Sequence, residues 1–321
     1  MFGGVFTWAK LPSFLFSVLR ISTPLIYGGL SAVITQKSGL LNMAIESMML
    51  ASALTGVLIG GFTHSAIIGA LAGVAAAVLI TLILSYSTFK LRVDLYLASI
   101  AMNTALSGGT VFIMFLVIGQ KSNTIGHINS PVLPNIDIPL LKDIPILGEV
   151  LSGHNILTYF AFVATFILWY LITKTKLGLR IRAVGENPQA AISVGIDPVK
   201  IYFLTFAIAG ILAGLGGVFM SMGYTSWFQR DMIAGRGFIG MSTTNVTGGD
   251  PLPTAIAAMI FGVTQALTNM LQLTSISPDI ISAVPYGGTI LILLFTAMIN
   301  NIRYAANAKK VREKQQQIAE T

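Results

Sequence analysis

No cysteine occurs among the 321 residues. That excludes a disulfide framework, a thiolate metal site and a cysteine nucleophile. Charge is nearly as scarce: 10% of residues are charged, against about 25% in soluble domains. A soluble fold of this length would need far more polar surface. His64, His127 and His154 are scattered without ligand spacing, so no metal is assigned. No Ser–His–Asp arrangement or close carboxylate pair suggests hydrolysis. No G-x-x-x-x-G-K-[ST] phosphate loop is present, so ATP hydrolysis is not expected of this chain, and it is read as no enzyme. Arg20 and Pro24 interrupt the first apolar stretch and no A-x-A site follows, so no cleavable signal peptide is expected.

What remains is apolar sequence in long runs. Only Glu46 is charged between Lys37 and Lys90, and only Asp279 between Pro251 and Ile302. Leu95–Gln120, Val150–Thr173 and Ile201–Gln229 carry no charge at all. Each run holds one or two stretches of roughly 20 residues, the length a helix needs to cross a bilayer. The pattern predicts an all-α polytopic membrane bundle with helices near Leu11–Thr35, Met43–Gly61, Ser65–Thr88, Leu95–Ile118, Ile156–Thr173, Ile201–Met222, Thr254–Gln272 and Asp279–Asn301. A ninth crossing within Arg236–Thr247 is short, Gly-rich and polar, hence read as broken or re-entrant. Such backbone is tolerated at membrane depth only under cover of protein or a water-filled cavity. Residues 1–302 thus form one membrane domain, and 303–321 a basic cytoplasmic tail.

The formal net charge of +7 would suggest nucleic acid in a soluble protein; its placement here speaks instead for membrane orientation. Thirteen of 19 basic residues fall at Lys37, in Lys90–Asp94, in Lys174–Lys200 and in the tail. Lys and Arg mark cytoplasmic segments. The loop Gly119–Asn155, with two lysines against three acids, is placed outside, and so is the N-terminus. Small residues four apart, such as Gly56 with Gly60, Gly69 with Gly73, and Gly210 with Gly214, suit close helix packing in lipid.

The polar segment Lys174–Pro198 lies between two strong spans. Asn187 followed by Pro188 is a helix start, and Gly195 is a plausible stop. A short cytoplasmic helix follows, which is either a docking element or an ordinary positive loop. The run Arg182-Ala-Val-Gly-Glu-Asn-Pro-Gln-Ala-Ala-Ile-Ser-Val-Gly-Ile196 resembles the coupling-helix region of bacterial ABC importer permeases, the group serving branched-chain amino acids, ribose-type sugars and nucleosides. Thr23-Pro-Leu25, Ser38-Gly-Leu-Leu-Asn-Met-Ala-Ile-Glu-Ser-Met-Met-Leu50 and Gly235-Arg-Gly-Phe-Ile239 resemble two further patterns of that group, and Ser47 stands where it often has glycine. The chain looks most like the smaller nucleoside-type subunit.

The resemblance implies a cytoplasmic ATPase that binds ATP and Mg, a second, homologous permease and an extracellular substrate-binding lipoprotein, all within membrane lipid and without nucleic acid. It also implies that Gly185, Glu186, Asn187, Pro188, Ala190, Ala191 and Gly195 contact the ATPase. Gly235–Gly240 matches G-x-G-x-x-G, but no βαβ pattern surrounds it.

An ionisable residue within a span usually faces a bundle interior or a wet cavity. Glu46, one helical turn from Asn42, either lines the pathway or braces backbone. With it, Tyr96, Asn103, Thr244, Asn245 and Asn269 are candidate pathway residues, or else make interhelical hydrogen bonds. Arg230, Asp231 and Arg236 are a docking rim or a local ion-pair cluster. The preferred cargo is a nucleoside, then ribose-like sugars, then branched-chain amino acids. A stand-alone ion-coupled transporter using Glu46 and the broken segment is the competing class.

Overall fold

The computed structural model describes residues 11–139 and 147–271. The expected span Asp279–Asn301 and the basic tail from 303 lie outside them. The chain divides into two units, residues 1–266 and residues 267–321.

The described residues hold seven helices long and apolar enough to cross a bilayer. They are α1 (Leu11–Lys37), α2 (Ile45–Thr63), α3 (Ala66–Phe89), α4 (Leu95–Ile118), α6 (Ile156–Lys174), α9 (Pro198–Phe219) and α11 (Pro251–Leu271). A π turn, Met220–Tyr224, extends α9. Shorter helices are α5 (Leu147–Leu151), α7 (Lys176–Glu186), α8 (Pro188–Ser193) and α10 (Arg236–Thr247). A two-residue hairpin pairs β1 (Asn135–Ile136) with β2 (His154–Asn155). The chain is an all-α, polytopic membrane bundle.

Within the first unit α1, α2 and α9 form the centre. Residues 21–35 of α1 are buried without a break, although Pro24 removes one helical donor. Beside it the Thr23 hydroxyl donates to the carbonyl of Leu19 at 2.9 Å and to Thr158 of α6 at 3.2 Å. The glycines at four-residue spacing are contact points. A Cβ on Gly69 would lie 2.7 Å from the Gly56 carbonyl oxygen and the Gly60 Cα, so α3 meets α2 backbone to backbone. A Cβ on Gly214 of α9 would likewise lie 2.9 Å from the Val74 Cα of α3. Lipid tails are as apolar as leucine, so close backbone packing substitutes for a hydrophobic driving force. α4 is peripheral: only Ser99, Thr110 and Met114 are buried along it.

Two ends can be told apart. One gathers Lys37, Gly39, Gly185 and Asp250, with Lys90 near Lys200. The other joins Asn123 to Gln229, Thr124 to Phe228, and Leu133 to Met222. The first end carries the basic segments that mark the cytoplasmic side in the sequence.

Candidate functional site

α10 has the bounds the sequence suggested for a broken element. Its 12 residues span about 18 Å at 1.5 Å each, too short for a hydrocarbon core of about 30 Å. Its C-terminal end lies beside the end of α1: Gly249 sits against the Gln36 side chain, and Lys37 Nζ donates to Asp250 Oδ1 at 2.8 Å. Its N-terminal end lies against Gly28, nine residues back along α1, or about 13 Å deeper.

The start of α2 meets it there. Ser38–Ala44 is irregular and carries the chain from the Lys37 end inward, so α2 also begins inside the bundle. Two helix N-termini, with their unpaired backbone N–H groups, therefore face each other at depth. Gly235, the N-cap of α10, takes a φ of 80° and brings no capping side chain. Glu46 does that work from α2. Its Oε1 accepts the Gly235 N–H at 2.7 Å and its Oε2 accepts the Gly237 N–H at 2.8 Å. A carboxylate at a helix N-terminus satisfies both the orphan donors and the helix dipole. Arg236 curls back to donate to the carbonyls of Met232 and Ile233 at 3.2 and 2.9 Å.

Asn103 of α4 performs the matching service for α2. Its amide donates to the Met43 carbonyl at 2.8 Å and accepts the Ser47 N–H at 3.1 Å. Asn42 is buried and accepts the Ala44 N–H at 3.0 Å. Thr244 donates to the Gly29 carbonyl at 3.0 Å. Four candidate pathway residues thus converge on the broken region, and each is engaged with backbone. Tyr96 and Asn245 are exposed on α4 and α10; Asn269 falls in the second unit. Ser107, missed in the sequence, donates to Asp231 Oδ1 at 2.8 Å and ties the irregular segment to α4. Arg230 and Asp231 pair at 3.6 Å.

The G-x-G-x-x-G match has a packing explanation. A Cβ on Gly237 would come 2.8 Å from the Glu46 nitrogen, and one on Gly240 would come 2.7 Å from the Gly29 nitrogen. These glycines bring α10 onto α1 and α2, and they build no phosphate cradle.

The polar segment after α6 folds as a helical corner. Thr175 caps α7 through the Gly178 N–H at 3.1 Å. Asn187 caps α8, accepting from Gln189 and Ala190 at 3.0 and 3.1 Å, with Pro188 in the first turn. Gly195 has a φ of 79° and open space around it. Glu186, Asn187, Pro188, Ala190 and Gly195 are exposed, whereas Ala191 is buried. Gly185 faces inward: a Cβ there would collide with the Lys37 carbonyl and reach the Gly39 nitrogen at 3.1 Å. Ile192 and Val194, absent from the sequence-based set, are 53% and 74% exposed, so the tip is apolar. Among the described residues no group of three His, Cys, Asp or Glu side chains could hold a metal.

Discontinuous helices whose N-termini meet inside a bundle of membrane spans recur in transport proteins. Residues 14–297 match the family described as branched-chain amino acid transport system / permease component, and the chain belongs to that family. It is a multi-pass permease of the cell membrane. The guanosine ABC transporter permease protein NupQ of Bacillus subtilis is 32% identical over 271 residues, covering 82% of this chain and 84% of the relative. The nucleoside ABC transporter permease protein NupC of Lactococcus lactis is 28% identical over 293 residues, 86% and 90% of the two chains. The putative glucose ABC transporter permease protein TsgC13 of Haloferax volcanii is 24% identical over 302 residues, 88% and 91%. No solved structure matches.

Proposed function

We propose that this chain is the permease subunit of an ATP-driven importer for nucleosides. It works with a cytoplasmic ABC ATPase, which binds the ATP and Mg, a second homologous permease and an extracellular substrate-binding lipoprotein. One observation carries the reading: a short, capped helix, α8, presents an exposed apolar tip while its base at Gly185 is locked against the end of α1. A rigid tip transmits force where a flexible loop would absorb it.

Movement at α8 reaches the membrane along a short physical chain. Gly185 presses on the Lys37–Gly39 turn. Lys37 holds Asp250 at the base of α10, and Glu46 holds the other end of α10. A tilt of the corner therefore shifts both half-helices, which is the motion alternating access requires. Part of α10 and of the segment before it is exposed in the single chain. Irregular backbone at membrane depth does not face lipid, so this face, with the exposed side of α4, belongs against the second permease and the pathway.

Nucleosides are favoured because two of the relatives named above are nucleoside or guanosine permeases. The charges around the broken region also occur in both signs, Glu46 with Arg236 and Asp231 with Arg230, which suits an uncharged cargo. The putative glucose permease supports a second reading, a sugar importer. The deciding experiment reconstitutes the chain with its partner ATPase, second permease and binding protein, and follows radiolabelled nucleoside uptake. Uptake is expected to require ATP and to be competed by unlabelled nucleosides over sugars. Uptake by this chain alone, driven by a Na⁺ or H⁺ gradient, would overturn the ABC reading, and competition by sugars alone would overturn the cargo.

A further inference from the structure

At the end that carries Lys37 and the coupling corner, a groove of about 610 Å³ lies along the first turns of α9 beside the end of α3, where Phe89 stacks on Tyr202 at 4.9 Å. Its mouth is polar and its floor is not. Lys90, which ends α3, and Lys200, in the first turn of α9, stand at the mouth with Asp197. Farther along, the wall is Phe203, Leu204 and Ala207. From Lys200 to Ala207 is seven residues, a descent of about 10 Å along the helix. The groove thus runs from two cations at the membrane surface down an apolar track into the hydrocarbon.

Asp197 offsets only one of the mouth's two positive charges. Its Oδ1 accepts the N–H groups of Val199 and Lys200 as the cap of α9, and its Oδ2 pairs with Lys200 at 3.5 Å. Lys90 makes no ion pair among the described residues and is exposed. Leu204 is 41% exposed, so the track is open along one side.

We infer that this groove binds one anionic glycerophospholipid of the cytoplasmic leaflet, its phosphate held by Lys90 and Lys200 and one acyl chain lying along Phe203, Leu204 and Ala207. The polarity gradient selects the ligand. A soluble anion would use the mouth and leave the apolar floor wet, whereas a neutral lipid would use the floor and leave the cations unanswered. Basic pockets between membrane helices on the cytoplasmic side recognise anionic headgroups on this principle. The assignment of leaflet rests on the distribution of Lys and Arg; the groove itself does not depend on the nucleoside reading.

The test is native mass spectrometry of the purified full-length chain, released from mixed micelles holding equal amounts of phosphatidylglycerol and phosphatidylcholine. Wild type is expected to retain one phosphatidylglycerol at least fivefold over phosphatidylcholine. Lys90→Gln/Lys200→Gln is expected to lose that preference while still retaining lipid, and Ala207→Trp, which fills the track, to retain neither. Lys121→Gln, at the opposite end, serves as control and is expected to behave as wild type. Equal retention of the two lipids by wild type would overturn the proposal. So would an unchanged preference in the double variant, retention of inorganic phosphate in place of lipid, or a dimer of the chain that excludes lipid from the groove. Circular dichroism and size exclusion on each variant separate loss of the site from loss of the fold.

Discussion

Glu46 has the most demanding position of any residue described. It is the only charge between Lys37 and Lys90, and both of its oxygens serve backbone N–H groups of another helix. Hydrogen bonds to charged groups contribute about 1.5–3 kcal/mol each. Glu46→Ala strands both donors and is expected to destabilise the chain by on the order of 3 kcal/mol. Glu46→Gln keeps one acceptor and should cost roughly half of that. Thermal unfolding in detergent reads the difference, and an unchanged midpoint for Glu46→Ala would remove the carboxylate from its assigned role. His154 makes a prediction about pH. It lies outside the spans, stacked on Phe16 with ring centroids 3.9 Å apart, and burial holds its pKa below the usual histidine value of 6.5. Below pH 6.5 the unfolded chain takes up a proton that the folded chain refuses, so stability falls until the lower folded pKa is passed. His154→Gln is expected to flatten this acid dependence, measured as the unfolding midpoint between pH 7.5 and 5.

Among the elements, α7 and α8 are the ones to which the proposed function gives coupling. Gly185 leaves no room for a Cβ against the Lys37 carbonyl, so Gly185→Ala must separate the corner from α1. In the assembled transporter, ATP turnover is expected to persist while uptake falls at least tenfold. Uptake that tracks ATP turnover in this variant would show that force travels by another route. Gly195→Ala is the contrast: the position has open space but a φ of 79°. It should cost about 1 kcal/mol of local stability and leave coupling near wild type. The sequence showed α8, because capping chemistry is local: Asn187, Pro188 and Gly195 act within a few residues of one another; it did not show α7, whose 11 residues read only as a polar segment. The inward aim of Gly185 and the exposed Ile192 and Val194 were not legible, since helix phase against α1 is a tertiary matter.

Within the first unit the described residues have one basic end and one end of hairpin and loops. The chain's lack of cysteine makes orientation directly measurable. Lys176→Cys is expected to react with an impermeant maleimide only in opened membranes, and His127→Cys also in intact cells. Reaction of Lys176→Cys in intact cells would invert the proposed orientation, and with it the leaflet of the lipid groove.

The amino-acid sequence alone determined that the chain is a membrane bundle, where the spans among the described residues lie and which polar segment stands apart as a capped corner. Apolar run length, charge placement and capping are properties of neighbouring residues, so a linear reading captures them. Only the tertiary structure decided the use of the polar residues inside the spans. Glu46 and Gly235 are 189 positions apart, as Asn103 and Met43 are 60 apart. What joins them is the need of two buried helix ends for partners, and that need arises only once both helices begin at the same depth.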